Sequence, residues 1–358
     1  MRTKKQVKRM SELLITGEKK ESGYAKFAAR QAFTRVLGGA ATYLVVSIIV
    51  IVALQGVMVG VFGAEKMLEL LNNPIILFSV QVFAMYIVAF PIFVLCVKGL
   101  PTALRRGESL SLGELMVTFF ICEWAMITGA LISEAITSFL SGMFGYDITN
   151  ATSELLLDTP LWLVIIVAVI IGPIIEELIF RKYFIDKLSV FGDRLAIVIS
   201  AIAFGLFHGN LSQLIYATML GLVLGYTYSK TRRARYTVIL HMAVNFLGTV
   251  PAMLLSESYN RLSSIAPDAQ LSTEESLMMM RDSMNVFGLT FIQYGFAIAG
   301  FVLLIYCTVK KKYRVADGRD IELPKKRLAS TLILNVGTLL FTVVCAYQIF
   351  TSLLPQVS

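Results

Sequence analysis

Charge is scarce in this sequence. Asp, Glu, Lys and Arg make up 16% of the 358 residues, whereas 56% are hydrophobic, a balance that excludes an ordinary soluble domain of this length. Histidine is scarcer still. There are two, His208 and His241, and no HExxH occurs, so the usual zincin arrangement is excluded. The four cysteines, Cys96, Cys122, Cys307 and Cys345, all fall inside apolar runs without metal-ligand spacing. They read as small hydrophobes and not as a disulfide framework. No Asp lies inside an apolar run, which excludes an aspartyl protease built on two such carboxylates. A serine protease of the rhomboid kind needs a Gly-x-Ser setting on a span, and the nearby form, Gly107-Glu108-Ser109, falls in a loop. Neither an internal repeat nor a low-complexity segment is visible, which argues against the repeat-built transporters.

What is present is a series of apolar runs long enough to cross hydrocarbon as helices. They are apolar all round, as lipid-facing helices are. The runs lie near 37–62, 74–97, 112–141, 161–180, 195–209, 212–229, 236–255, 285–309 and 329–353. With a cytoplasmic N-terminus, residues 1–36, 98–106, 181–194, 230–235 and 310–327 carry 29 of the 32 basic residues, and the opposite loops keep Lys66, Arg261 and Arg281. That asymmetry predicts an all-α polytopic membrane protein of nine spans, N-terminus inside and C-terminus outside. It also accounts for the net charge of +8 as topology signals and lipid anchors, not a nucleic-acid footprint. The charged leader is too long for a cleavable signal peptide. Residues 24–36 are expected either as a basic helix on the inner leaflet or as a solvated tail. The expected organisation is a basic segment 1–36, N-terminal spans over 37–155, a chemical core at 156–255, an outer loop with a short Met-rich helix at 256–284, and C-terminal spans at 285–358. Asn150-Ala-Thr152 forms an outer-side sequon that matters only in a eukaryotic host.

The acidic residues well inside the runs are Glu123, Glu134, Glu176 and Glu177. An ionisable group at membrane depth is a functional candidate by default, because leaving it there costs free energy. Glu177 and Arg181 are spaced i,i+4 with the Glu first, the favourable orientation for an ion pair. Glu176 is rotated by about 100° and escapes that pairing. The two divide into a structural Glu177 and a chemical Glu176, although a snorkelling helix-end carboxylate is an equal reading of Glu176 alone. Gly172-Pro173 upstream predicts a kink beside a cavity. Phe204 and His208 share a helix face, as do His241 and Asn245. Glu176 lies 16 residues before Gly192 and His208 lies 16 after it, so an antiparallel hairpin brings them level. His241 falls at a depth similar to that of Glu176, roughly 22–24 Å from the outer boundary at 1.5 Å per residue. The depth of His208 stays open, because a straight span over 211–228 would carry it toward the outer surface. Glu123 has no partner legible in the sequence.

One carboxylate, two imidazoles and one carboxamide can activate water and stabilise an oxyanion. Glu176, His208 and His241 are also a candidate donor set for one divalent metal such as zinc. A proton-coupled transporter using intramembrane Glu and His, or a non-catalytic membrane scaffold, remains an alternative.

EELIFR (Glu176, Glu177, Arg181), FGLFH (Phe204, His208) and HMAVN (His241, Asn245) together resemble, in order, the EExxxR, FxxxH and HxxxN motifs of the CPBP family of CAAX proteases and bacteriocin-processing (Abi) enzymes. The resemblance covers about residues 160–250. It implies a helical intramembrane endopeptidase in which Glu176 and His208 activate water and His241 and Asn245 stabilise the oxyanion, with Glu177, Arg181 and Phe204 in support. It implies a membrane-associated peptide or protein substrate, with bacteriocin processing or self-immunity as roles on the family's bacterial branch. It leaves the metal open. The expected setting is a bacterial plasma membrane, with the active site facing the cytoplasm and the lipid bilayer as partner. Oligomeric state is not legible.

Overall fold

The computed structural model describes residues 4–103, 105–148, 155–265, 272–312, 318–321 and 330–355, with side chains from residue 25 onward. The sequon at 150–152 lies outside the described residues. Within them the chain is helical with no strand. In order the helices are α1 Lys4–Phe62, α2 Ala64–Leu71, α3 Pro74–Val97, α4 Leu112–Phe144, α5 Leu161–Phe191, α6 Asp193–Phe207, α7 Leu211–Thr231, α8 Ala234–Leu254, α9 Ser256–Ser263, α10 Thr273–Val309 and α11 Val336–Ser352.

Six of these are long and apolar enough to cross a bilayer among the described residues: Ala25–Phe62 of α1, then α3, α4, α5, α8 and α10. The nine runs read from the sequence all occur as helices. However, α6 has 15 residues and α11 has 17, and α7 carries enough Gln, Ser, Thr and Tyr to fall outside the apolar set. Most of α6 is buried in the bundle, whereas α11 docks on α1 by one face and leaves Leu339, Val343, Tyr347 and Phe350 exposed. The first helix takes in residues 24–36, as one of the two expectations had it, but it is packed in the bundle and not laid on a leaflet or left as a solvated tail. It is continuous across residue 36, and Ala29, Ala32, Phe33 and Val36 are fully buried. Small side chains on one face let this basic stretch dock as a helix in the bundle, and its Arg35 donates to the carbonyls of Cys96 and Lys98. The Met-rich segment is the first part of α10, not a separate loop helix; a Ser272–Glu275 capping box starts it.

Glycines set the close approaches, as small residues do between helices in lipid. A Cβ on Gly129 of α4 would stand 2.4 Å from the Cα of Tyr216 of α7, and one on Gly300 of α10 would stand 1.9 Å from the Phe120 carbonyl of α4.

The segments that the Lys/Arg asymmetry assigned to one side meet at one end of the bundle. Arg232 pairs with Asp186 at 3.5 Å and with Asp193, and Arg105 pairs with Asp193 at 3.3 Å and Asp320 at 3.2 Å. Tyr228 donates to Asp186, and Lys187 donates to the Leu100 carbonyl. At the other end Tyr146 donates to the carbonyl of Leu353. The ion-pair end clamps the bottoms of α5, α6 and α7, and so fixes the height at which their upper residues meet.

Candidate active site

The site grows from α5. Two stretches of this helix, Ile165–Ile171 and Leu178–Ile185, are wound with i→i+5 bonds, a departure common at functional positions. They flank Gly172–Glu177, so the helix passes Pro173 without ending. In the first stretch the Gly172 N–H bonds the Val167 carbonyl. The same register would take the next N–H to Ala168, but residue 173 is proline and has none. The Ala168 carbonyl is met instead by the Asn245 side-chain amide of α8, 3.0 Å away. The proline thus frees the acceptor that holds Asn245. One N–H of that amide is committed to Ala168, and the second is left for the cavity.

The adjacent glutamates have different surroundings. Glu177 is fully buried, its Oε2 3.0 Å from Nε of the equally buried Arg181. Arg181 also donates to Ser200 Oγ at 3.2 Å and lies 4.8 Å over the Phe204 ring. Ser200 passes its own hydroxyl to the Phe180 carbonyl. Glu177 Oε1 is 3.1 Å from Nδ1 of His241. Glu176 keeps 23% of its side-chain surface exposed and stands 3.7 Å from His241 Nε2.

Hydrogen-bond partners set the imidazole tautomers. His208 Nδ1 is 2.8 Å from the Phe204 carbonyl. A carbonyl accepts only, so Nδ1 carries the proton and Nε2 offers a lone pair. His241 Nδ1 faces an ion-paired carboxylate and is likewise the N–H. Its Nε2 accepts in the neutral ring and donates only in the imidazolium. The Phe204 ring packs edge-on to both, with centroids 4.9 Å from His208 and 5.6 Å from His241.

Glu176, His208, His241 and Asn245 line one cavity of about 640 Å³. His208 thus faces the cavity from the α6–α7 turn, where a Cβ on Gly209 would stand 3.1 Å from the Gln348 side chain of α11. Glu123 lines the same cavity. Sequence reasoning missed Gln81, Tyr86, Gln213, Tyr216 and Gln293, which also line it. Their signal, a polar group at span depth, is weak because Tyr and Gln are common near span ends.

The metal expectation meets a geometric obstacle. Among the described residues no three His, Cys, Asp or Glu side chains are grouped so as to hold a metal ion. As arranged, Glu176, His208 and His241 do not fit a three-ligand zinc centre.

Residues 158–247 match the family sequence model described as Type II CAAX prenyl endopeptidase Rce1-like. Over 194 residues the chain is 29% identical to a Bacillus subtilis (strain 168) protein named "Putative membrane peptidase YdiL", covering 52% of this chain and 76% of that one. No solved structure gives a significant match. Its apolar helices make the chain a multi-pass membrane protein. The matched segment contains all of α5, α6 and α7 and α8 up to residue 247, and with them the three motifs; α1 to α4 and α9 to α11 flank it.

Proposed function

We propose that the protein is an intramembrane endopeptidase that hydrolyses peptide bonds of membrane-associated peptides or proteins. The observation that carries this reading is the convergence of Glu176, His208, His241 and Asn245 on one cavity, with the buried Glu177–Arg181 pair behind them.

Glu176 and the free Nε2 of His208 are the acceptors that hold and deprotonate a water. The hydroxide attacks the peptide carbonyl carbon, and the new oxyanion takes hydrogen bonds from the second Asn245 N–H and from His241. For His241 to donate, its Nε2 must be protonated; Glu176 at 3.7 Å is the neighbour with which it can exchange that proton. As the C–N bond breaks, the leaving nitrogen takes back the proton removed from water. No step is routed through a metal. Arg181 cannot serve as the oxyanion donor, because Glu177 and Ser200 hold it behind Phe204.

The ion-pair end of the bundle gathers the basic segments, so the positive-inside rule orients that end to the cytoplasm. With that end in the cytoplasm, the cavity lies at mid-bundle and its lining runs toward the opposite end, to Phe78, Leu156 and Met253, so it serves substrate segments within a bacterial plasma membrane and not the cytoplasmic mouth expected from the sequence. Processing of bacteriocin-like peptides and self-immunity are roles of matching chemistry. The test is hydrolysis of a bilayer-anchored peptide by purified protein in liposomes. Glu176→Gln and His208→Ala should each abolish cleavage without changing insertion, and full activity in either variant would remove that residue from the mechanism.

A further inference from the structure

Glu123 is an acidic side chain that the water-activating chemistry leaves unused. It sits near the middle of α4, 4% exposed, and its Oε1 has no hydrogen-bond partner among the described residues. Glu123, Met126, Ile127 and Ala130 line the cavity from one helical stripe, the i, i+3, i+4, i+7 face. Glu176, His208, His241 and Asn245 line the same cavity, so Glu123 borders the candidate site and is not remote from it.

A carboxylate oxygen held away from water without a partner costs free energy, and the cost is relieved by a donor, best of all a cation. The cavity wall has neutral donors in its Gln, Tyr and Asn side chains but no cation among the described residues. Its lining includes two carboxylates, Glu123 and Glu176, and no Lys or Arg among the described residues. The His208 Nε2 lone pair adds a further acceptor. A wall rich in acceptors disfavours an anionic substrate group and favours a cationic one. A substrate Lys or Arg can supply such a group while its aliphatic stem stays along the apolar part of the wall.

We propose that Glu123 is a specificity-determining residue that binds a substrate Lys or Arg side chain within a few residues of the bond to be cut. The inference rests on the endopeptidase reading, and its test separates the two. The full chain carrying Glu176→Gln, which suppresses hydrolysis, is placed in nanodiscs of uncharged-headgroup lipid so that the bilayer surface does not recruit cationic peptides. The probes are fluorescent apolar twelve-residue peptides that differ at one central position, Lys, Met or Glu. The Lys peptide should bind about tenfold tighter than the Met peptide, a ratio equal to ~1.4 kcal/mol, and the Glu peptide weaker than either. Adding Glu123→Gln should bring the Lys-to-Met ratio to about one while the Met peptide still binds, and Glu123→Lys should move the preference to the Glu peptide. A ratio near one with Glu123 intact, or one that survives Glu123→Gln, overturns the proposal. The first of these needs no variant at position 123 to fold. Failure of the endopeptidase reading would look different: Lys preference with no cleavage by the wild-type protein of any peptide that binds.

Discussion

Glu177→Gln separates the two adjacent glutamates in one experiment. Glu177 and Arg181 are both fully buried and 3.0 Å apart. Removing one charge leaves the other buried without its counter-ion, which costs about 3–5 kcal/mol, whereas replacing both by neutral groups of similar shape costs far less. Glu177→Gln and Arg181→Gln should therefore each destabilise the protein by that amount, roughly 10²–10⁴ in the folding equilibrium. The double variant should recover most of it, and the shortfall from additivity is the coupling energy. Unfolding in mixed micelles, driven by rising dodecyl sulfate, reads all three. Glu176→Gln, one residue away but partly exposed and facing the cavity, should leave that unfolding curve within about 1 kcal/mol of wild type while hydrolysis is lost. If both charge-removing variants at 177 and 181 stay within about 1 kcal/mol, or if the double variant loses the sum of the singles, the assignment of this pair as the structural lock is wrong.

Pro173→Ala restores an N–H that competes with Asn245 for the Ala168 carbonyl; cleavage should slow about tenfold, and adding Asn245→Ala should slow it little further if the two act through one contact. A Cβ on Gly129 meets the backbone of α7, whereas one on Gly56 meets nothing within 4 Å. Gly129→Ala should therefore cost more than about 2 kcal/mol and Gly56→Ala should be neutral or mildly stabilising in the same unfolding assay. Because the donor set does not group around a metal, cleavage should survive dialysis against a strong chelator; loss restored by one equivalent of zinc per chain would replace direct water activation by Glu176 and His208.

Much of the site was legible because membrane burial makes polar residues informative. Two histidines and a Glu-Glu pair in a chain this apolar have few bland explanations, and the i,i+4 spacing of Glu177 and Arg181 places them in contact on a helix. Counting residues to the Gly192 turn put Glu176 and His208 at one height, and both line the one cavity. What escaped has physical reasons. An i→i+5 winding leaves no mark on hydrophobic periodicity, so the consequence of Pro173 for Asn245 was invisible and a kink was expected in its place. The His241–Glu177 contact joins residues 64 apart, which only the tertiary packing of α5 on α8 creates. The leader looked like a tail because its ten basic residues dominate its composition, while the Ala29–Ala32–Phe33–Val36 face that docks it is short. Helices α6 and α7 read as spans by length, yet their neighbours are other helices, and composition does not distinguish a partner of protein from one of lipid.

The central claim is that Glu176 activates the attacking water. The most direct measurement is single-turnover cleavage of a bilayer-anchored peptide by wild-type protein and by Glu176→Gln in the same liposomes, with dodecyl sulfate unfolding recorded on both. The account predicts a fall of about 10³-fold or more at unchanged unfolding midpoint. Cleavage by Glu176→Gln at the wild-type rate would contradict it.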